Sequence, residues 1–189
     1  MYIAGIDEVG RGPLAGPVSI GIVWVKKDLD LKEKYPTLND SKKLSEKKRE
    51  EIYKLAKKDS DISYVVVSNA AKVIDEKGIE FAIRDAIARG CKKLPEDTSI
   101  YLDGRLKAPD NFKQETVVGG DAKIPAISLA SIMAKVERDR YMKKISEDYP
   151  QYGFHKHKGY GTKAHMEAIV DCGFCEFHRE SFCRNLTQE

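Results

Sequence analysis

Ile3-Ala4-Gly5-Ile6-Asp7-Glu8-Val9-Gly10-Arg11-Gly12-Pro13-Leu14-Ala15-Gly16-Pro17 is the stretch on which the reading of this chain turns. A short apolar strand delivers two adjacent carboxylates, then breaks into a glycine-rich loop carrying one arginine. Acids at the end of a core strand suit a hard divalent cation. Glycines beside them let backbone N–H groups approach a ligand closely. Together these features point to a metal-dependent site for phosphate or nucleic acid. The plainer alternative is a strand end with a solvated Asp-Glu pair and a flexible turn.

Outward from that stretch, residues 2–8 and 18–25 read as two β-branched strands, an antiparallel pair across the Gly/Pro loop. Residues 26–36 are charged and irregular, a surface loop. Ser45 is placed to N-cap a helix to about residue 58, with Ile52, Leu55 and Ala56 on its inner face. Residues 62–68 form a third strand. After Gly78, Ile79, Ala82, Ile83, Ala86 and Ile87 recur on one helical face, and Gly90 suits a C-cap. Residues 99–102 and 115–118 are two more short strands. Pro125 opens a long helix to about residue 147, nearly all small or apolar from Ala126 to Val136, with Tyr141 and Ile145 inward in its second half. An aromatic and basic loop (152–162), a last short helix (163–170) and a tail that docks on the domain complete the chain. Strands interspersed with helices predict one α/β domain over residues 1–189, a mixed five-stranded sheet flanked by helices with a short C-terminal helical and tail segment.

With 189 residues, 41% hydrophobic and 33% charged, the chain is long enough for a real core and unlike a disordered one. No apolar run approaches the about 20 residues of a membrane helix, and no basic signal segment opens the chain. No membrane association, a cytoplasmic location and a monomer are expected. The net charge of +3 permits nucleic-acid binding without demanding it. The four cysteines are Cys91, Cys172, Cys175 and Cys183. Cys172 and Cys175 sit near His178, but a structural zinc site usually shows two separated ligand pairs, so incidental reduced thiols are favoured.

Three strands are read as ending in acid: Asp7-Glu8, Asp103 before Gly104, and Asp121 after Gly120. Ligands for one site commonly converge from the ends of several strands. Four carboxylates in one place cannot all stay ionised without a cation. Mg²⁺ or Mn²⁺ is the natural choice, and two ions about 4 Å apart would activate a water and stabilise a leaving oxygen. An Asp-Gly pair is also a common turn. A regular strand alternates its side chains, so Asp7 and Glu8 cannot both point into one site unless the strand distorts at Glu8 or Glu8 acts through its carbonyl. Asp7 is then the central, bridging ligand.

The segment from Ile6 to Pro17 resembles the opening signature of the type 2 ribonucleases H, specifically ribonuclease HII. So do Asn39-Asp40-Ser41-Lys42-Lys43-Leu44-Ser45, Leu102-Asp103-Gly104 and Gly120-Asp121. The resemblance continues through Ala130-Ser131-Ile132-Met133-Ala134-Lys135-Val136-Glu137-Arg138-Asp139, then His155-Lys156-His157-Lys158-Gly159-Tyr160-Gly161-Thr162 and His178-Arg179-Glu180-Ser181-Phe182. It implies an RNase H-like fold and a two-metal endonuclease. Such an enzyme cuts the RNA strand of RNA–DNA hybrids and cuts 5′ of ribonucleotides embedded in duplex DNA, leaving 5′-phosphate and 3′-hydroxyl ends. It implies Asp7, Glu8, Asp103 and Asp121 as catalytic, metal-binding residues. Gly10, Arg11 and Gly12 resemble the family's loop that reads the ribose 2′-hydroxyl through its backbone, and Tyr160 resembles the tyrosine that stacks at the nucleotide after the ribonucleotide. The 2′-hydroxyl is what separates RNA from DNA at a given site, so a reader must lie against the sugar.

Asp139 is a rival fourth carboxylate, but Lys135 four residues earlier favours an ion pair. Ser41, Lys42 and Lys43 are candidate phosphate contacts. His155, His157 and His165 suit phosphate contacts or loop structure better than metal ligation. Leu129 stands where relatives usually have a small residue, and the chain stops soon after Phe182, which implies a weaker substrate grip. The early catalytic strand favours ribonuclease HII over ribonuclease HIII. A non-catalytic nucleic-acid-binding domain is the alternative; a dinucleotide-binding module is disfavoured because Gly10, Gly12 and Gly16 lack the required spacing.

Overall fold

A computed structural model describes residues 1–38 and 44–186. Five strands, β1 (Tyr2–Val9), β2 (Val18–Lys26), β3 (Ser63–Asn69), β4 (Thr98–Asp103) and β5 (Lys113–Val117), form one sheet in the order β3-β2-β1-β4-β5. β1 pairs antiparallel with β2, and β2 with β3; β1–β4 and β4–β5 are parallel. The sheet is mixed, and β1 lies at its centre.

The described helices are α1 (Leu31–Lys34), α2 (Glu46–Lys58), α3 (Ala71–Lys77), α4 (Ile79–Cys91), α5 (Pro125–Asp148), α6 (Phe154–His157) and α7 (Lys163–Cys172). Alternation along β1 and β2 divides them between two faces. Ala4, Ile6, Ile20 and Ile22 pack with Ile83, Ala86 and Ile87 of α4. Val23 and Val25 pack with Ile52 and Ala56 of α2 and with Ala126, Leu129, Ala130 and Met133 of α5.

The second face owes its closeness to two glycines. A Cβ on Gly5 would lie 2.1 Å from the Ala126 carbonyl carbon, and one on Gly21 2.1 Å from the Ala130 carbonyl oxygen. Asp7 pairs with Gly21 across the strands and shares this face. The long helix therefore passes directly over the strand that ends in acid.

Several local expectations change. Leu55 is 62% exposed, and Tyr53 takes the inner position of α2 beside Ile52 and Ala56. The Tyr53 ring meets Tyr64 edge-on at 6.3 Å and its hydroxyl donates to Glu137 Oε1 at 3.1 Å. Tyr141 is 42% exposed, while Met142 and Ile145 point inward. Gly90 lies inside α4, where a Cβ would meet Ile22 Cδ1 at 2.5 Å; it is a contact position, not the cap. α1, α3 and α6 stand where the sequence pattern predicts no helix, because none is long enough to show an apolar period. Ser45 does cap α2, its Oγ accepting the Lys48 N–H at 3.2 Å.

The tail docks as expected. Ala15 bridges to His178, and the Gly16 N–H donates to the Phe177 carbonyl at 2.8 Å. On α3, Asp75 accepts the N–H groups of Glu180 and Ser181 at 3.0 and 3.1 Å.

Candidate active site

β1 carries Asp7 to the edge of the core, where it is 5% exposed, with Glu8 half-buried beside it. A strand distorted at Glu8 is one of two alternatives, and on the β2 side the pairing shows no interruption there. β1 stays paired with β2 through Glu8↔Ile20 and Val9↔Ser19. Its other edge is open instead: pairing with β4 stops at Ile6↔Leu102. Side chains from both faces of β1 can turn into that opening, beside Asp103 at the last position of β4. Carboxylate oxygens of Asp7, Glu8 and Asp103 all lie within 4.8 Å of one another.

Asp103 Oδ1 accepts the Gly120 N–H at 2.6 Å. Asp121 follows in a short 3-10 turn, Gly120–Ala122, not at the end of β5, which stops at Val117. It is 4% exposed and one residue from the Asp103 contact, but it does not join the three-carboxylate group.

Crowding leaves an electrostatic mark. Burial pushes the Asp7 carboxyl up to about 7 against a bond from Ser131, and the charges of Glu8 and Asp103 push it the same way. The Glu8 N–H, donating to Asp7 Oδ1 at 2.8 Å, opposes the rise. Three clustered carboxylates offering only oxygen donors are a donor set that fits a hard divalent cation.

The acids open into a cleft of about 430 Å³. Gly10, Arg11 and Gly12 line it, as do Tyr160, Ser131, Arg49 and Lys135. Gly10 has φ +83°, and a Cβ there would meet Arg138 Nε at 2.2 Å. Gly12 differs: a Cβ on it would meet nothing within 4 Å. Packing demands a glycine at position 10 but leaves position 12 to whatever enters the cleft. The Arg11 side chain turns to Glu80 on α4 and lies 3.9 Å from Glu8. Tyr160 is 44% exposed.

Lys135 does pair with Asp139 at 2.8 Å, as its spacing predicts. Its place in the cleft was missed, as were those of Arg49 and Ser131. The signal was there for two of them: Ser131 and Lys135 are four apart on α5, on the turn that passes over Asp7. Ser41, Lys42 and Lys43 lie outside the described residues. His157 ends α6 and His165 lies buried in α7, so both serve local packing and neither lines the cleft. The His157 Nδ1 accepts the Gly159 N–H at 3.2 Å, and its ring stacks on His165 at 4.4 Å. Among the described residues the cysteines join no metal-binding group.

A family model described as ribonuclease HII matches residues 4–185. The chain belongs to the ribonuclease HII family. Ribonuclease HII of Endomicrobium trichonymphae is 48% identical over 182 residues, covering 95% of this chain and 84% of that protein. The crystal structure of the ribonuclease H2 from Pyrococcus horikoshii OT3 superposes with a TM-score of 0.78 at 26% identity, over 98% of this chain and 97% of that one. The structure of the PCNA:RNase HII complex from Archaeoglobus fulgidus gives 0.81 at 26% identity, over 99% and 97%. The mixed sheet and its helices are an RNase H-like fold, and the protein is a ribonuclease H enzyme.

Proposed function

We propose that this ribonuclease HII family member is an endonuclease that cuts the RNA strand of RNA–DNA hybrids. It also cuts 5′ of ribonucleotides embedded in duplex DNA, leaving 5′-phosphate and 3′-hydroxyl ends. The observation that carries this is one cleft holding a three-carboxylate cluster beside a glycine loop and an exposed tyrosine. Asp7, Glu8, Asp103 and Asp121 would hold two Mg²⁺ or Mn²⁺ ions, with Asp7 central. When bound, such ions supply Lewis acidity at the scissile phosphate and lower the pKa of a water.

The remaining work falls to this chain's own groups. Gly10, Arg11 and Gly12 offer backbone to the ribose 2′-hydroxyl, and Gly12 keeps the approach open. The Tyr160 ring lies against the next sugar, where a second hydroxyl would clash. Arg49 and Lys135 meet phosphate, as do Ser41, Lys42 and Lys43, positioning without reading sequence. Residues 1–189 act as one catalytic domain, monomeric and cytoplasmic.

One cleavage gel tests this reading. It compares a full RNA–DNA hybrid, a DNA duplex with one ribonucleotide and an all-DNA duplex, each with Mg²⁺ and with Mn²⁺. Metal-dependent cutting of the first two alone is expected. Binding without cutting would indicate a non-catalytic module instead.

A further inference from the structure

His178 and Arg179 are consecutive, 3% and 0% exposed, and the proposed chemistry uses neither. Neighbours in extended chain point opposite ways, and these two reach different walls of the cleft. Arg179 donates from all three guanidinium nitrogens to the glycine loop. Nη2 meets the Gly10 carbonyl at 2.6 Å, Nη1 the Arg11 carbonyl at 3.0 Å and Nε the Gly16 carbonyl at 2.9 Å. In a trans peptide the C=O and the following N–H point in opposite directions, and the described residues hold no cis bond. Gripping the Gly10 and Arg11 carbonyls therefore turns the N–H groups of Arg11 and Gly12 away from Arg179.

His178 works through His165. The Cys175 N–H donates to His178 Nδ1 at 2.9 Å, so His178 carries its proton on Nε2. That Nε2 lies 3.1 Å from His165 Nε2. His165 in turn gives its Nδ1–H to the Tyr160 carbonyl at 2.9 Å. Every donor in the relay has one acceptor, and the relay ends on the backbone of the cleft's aromatic residue. The segment itself is tied down, with the Arg179 N–H on the Leu14 carbonyl at 2.8 Å and Asp75 holding Glu180 and Ser181.

We infer that His178 and Arg179 are positioning residues that fix the spacing between the Gly10–Gly12 loop and Tyr160, and with it the selectivity for a ribose followed by a deoxyribose. This rests on the proposed reading of those two elements. A full hybrid offers a ribose in every register, whereas a lone ribonucleotide must satisfy both walls at once. Loosening the clamp therefore harms the lone-ribonucleotide substrate more.

The test uses Arg179→Lys, which keeps the charge but replaces a planar fork with a point donor, and His165→Phe, which breaks the relay at a second place. For each, kcat/KM is measured on a duplex with one ribonucleotide and on a full hybrid, with Mn²⁺ affinity from calorimetry. The ratio of the two kcat/KM values should fall about tenfold, with Mn²⁺ affinity unchanged. An unchanged ratio overturns the inference. So does an equal loss on both substrates with weakened Mn²⁺ binding, which marks a merely structural role. If Arg179→Lys does not fold, the ratio in His165→Phe decides. Failure of the unmodified protein to cut the lone-ribonucleotide duplex would sink the reading of the site itself, and this inference with it.

Discussion

Asp7, the proposed central metal ligand, shows how a residue can cost the fold stability. Its carboxyl is pushed up to about 7 by burial. The folded state thus holds a proton the unfolded chain would release, and stability is lost as pH rises from about 4 to 7. By pH 8 the cost is on the order of 4 kcal/mol without metal. Asp7→Asn removes that charge at constant shape. Its metal-free Tm at pH 8 should rise by several degrees, Mg²⁺ should no longer shift it, and cleavage should vanish. Scanning calorimetry with an endpoint assay checks all three; near-normal cutting would sink the mechanism. Gly12 makes the opposite case. Gly12→Ala meets open space, so Tm should stay within about 1 °C while kcat/KM on a lone-ribonucleotide duplex falls about tenfold or more. An alanine variant with full activity would mean that nothing approaches that backbone. Both residues were legible as a pair of motifs in the sequence, but the reason for each glycine was not. Only the packing shows that position 10 serves Arg138 and position 12 serves no protein atom.

At the scale of elements, alternation and apolar period placed all five strands and the long helix to within a residue or two. What they missed has a common cause. Tyr53 and Leu55, or Tyr141 and Met142, differ by one or two steps on a helix, and the choice depends on what stands opposite. Tyr53 wins because Glu137 accepts its hydroxyl and Tyr64 meets its ring. The short helices α1 and α3 lack the length for a period to emerge. Gly5 and Gly21 were equally silent, reading as weak strand residues until α5 was seen against them. An alanine at Gly21 would press on the Ala130 carbonyl, which cannot swing aside. Gly21→Ala should cost about 3 kcal/mol or more, seen as a lower urea midpoint at unchanged m-value. A neutral result would mean that α5 can move off the sheet.

For the whole molecule, acid should loosen the C-terminal segment first. His178 is held down at about 4 by burial, with the His165 charge adding and the Cys175 backbone bond opposing. His157 and His165 are lowered by burial as well. The rings of Tyr152, Phe154 and Phe174 surround His178 and offer no counter-charge. A histidine whose folded pKa lies below its unfolded 6.5 is protonated more readily in the unfolded chain. Its contribution is complete above about 6.5 and lost as pH falls toward about 4. Asp7 slopes the other way over the same window, so the measurement belongs in the Asp7→Asn background. There Tm should drop steeply below pH 6.5, and adding His178→Asn should flatten the drop. A tail that docks was foreseeable from Phe182 and its neighbours. That its two buried polar side chains end on the cleft walls was not, because such contacts join residues separated by most of the chain.

The bond from Arg179 to Gly10 spans 169 positions. A ribosome delivers the acid strand well before it delivers the guanidinium. Throughout synthesis, while messenger RNA lies close by, the emerging chain carries its carboxylates without the grip that shapes the loop beside them. The loop takes its final shape only after Arg179 has emerged.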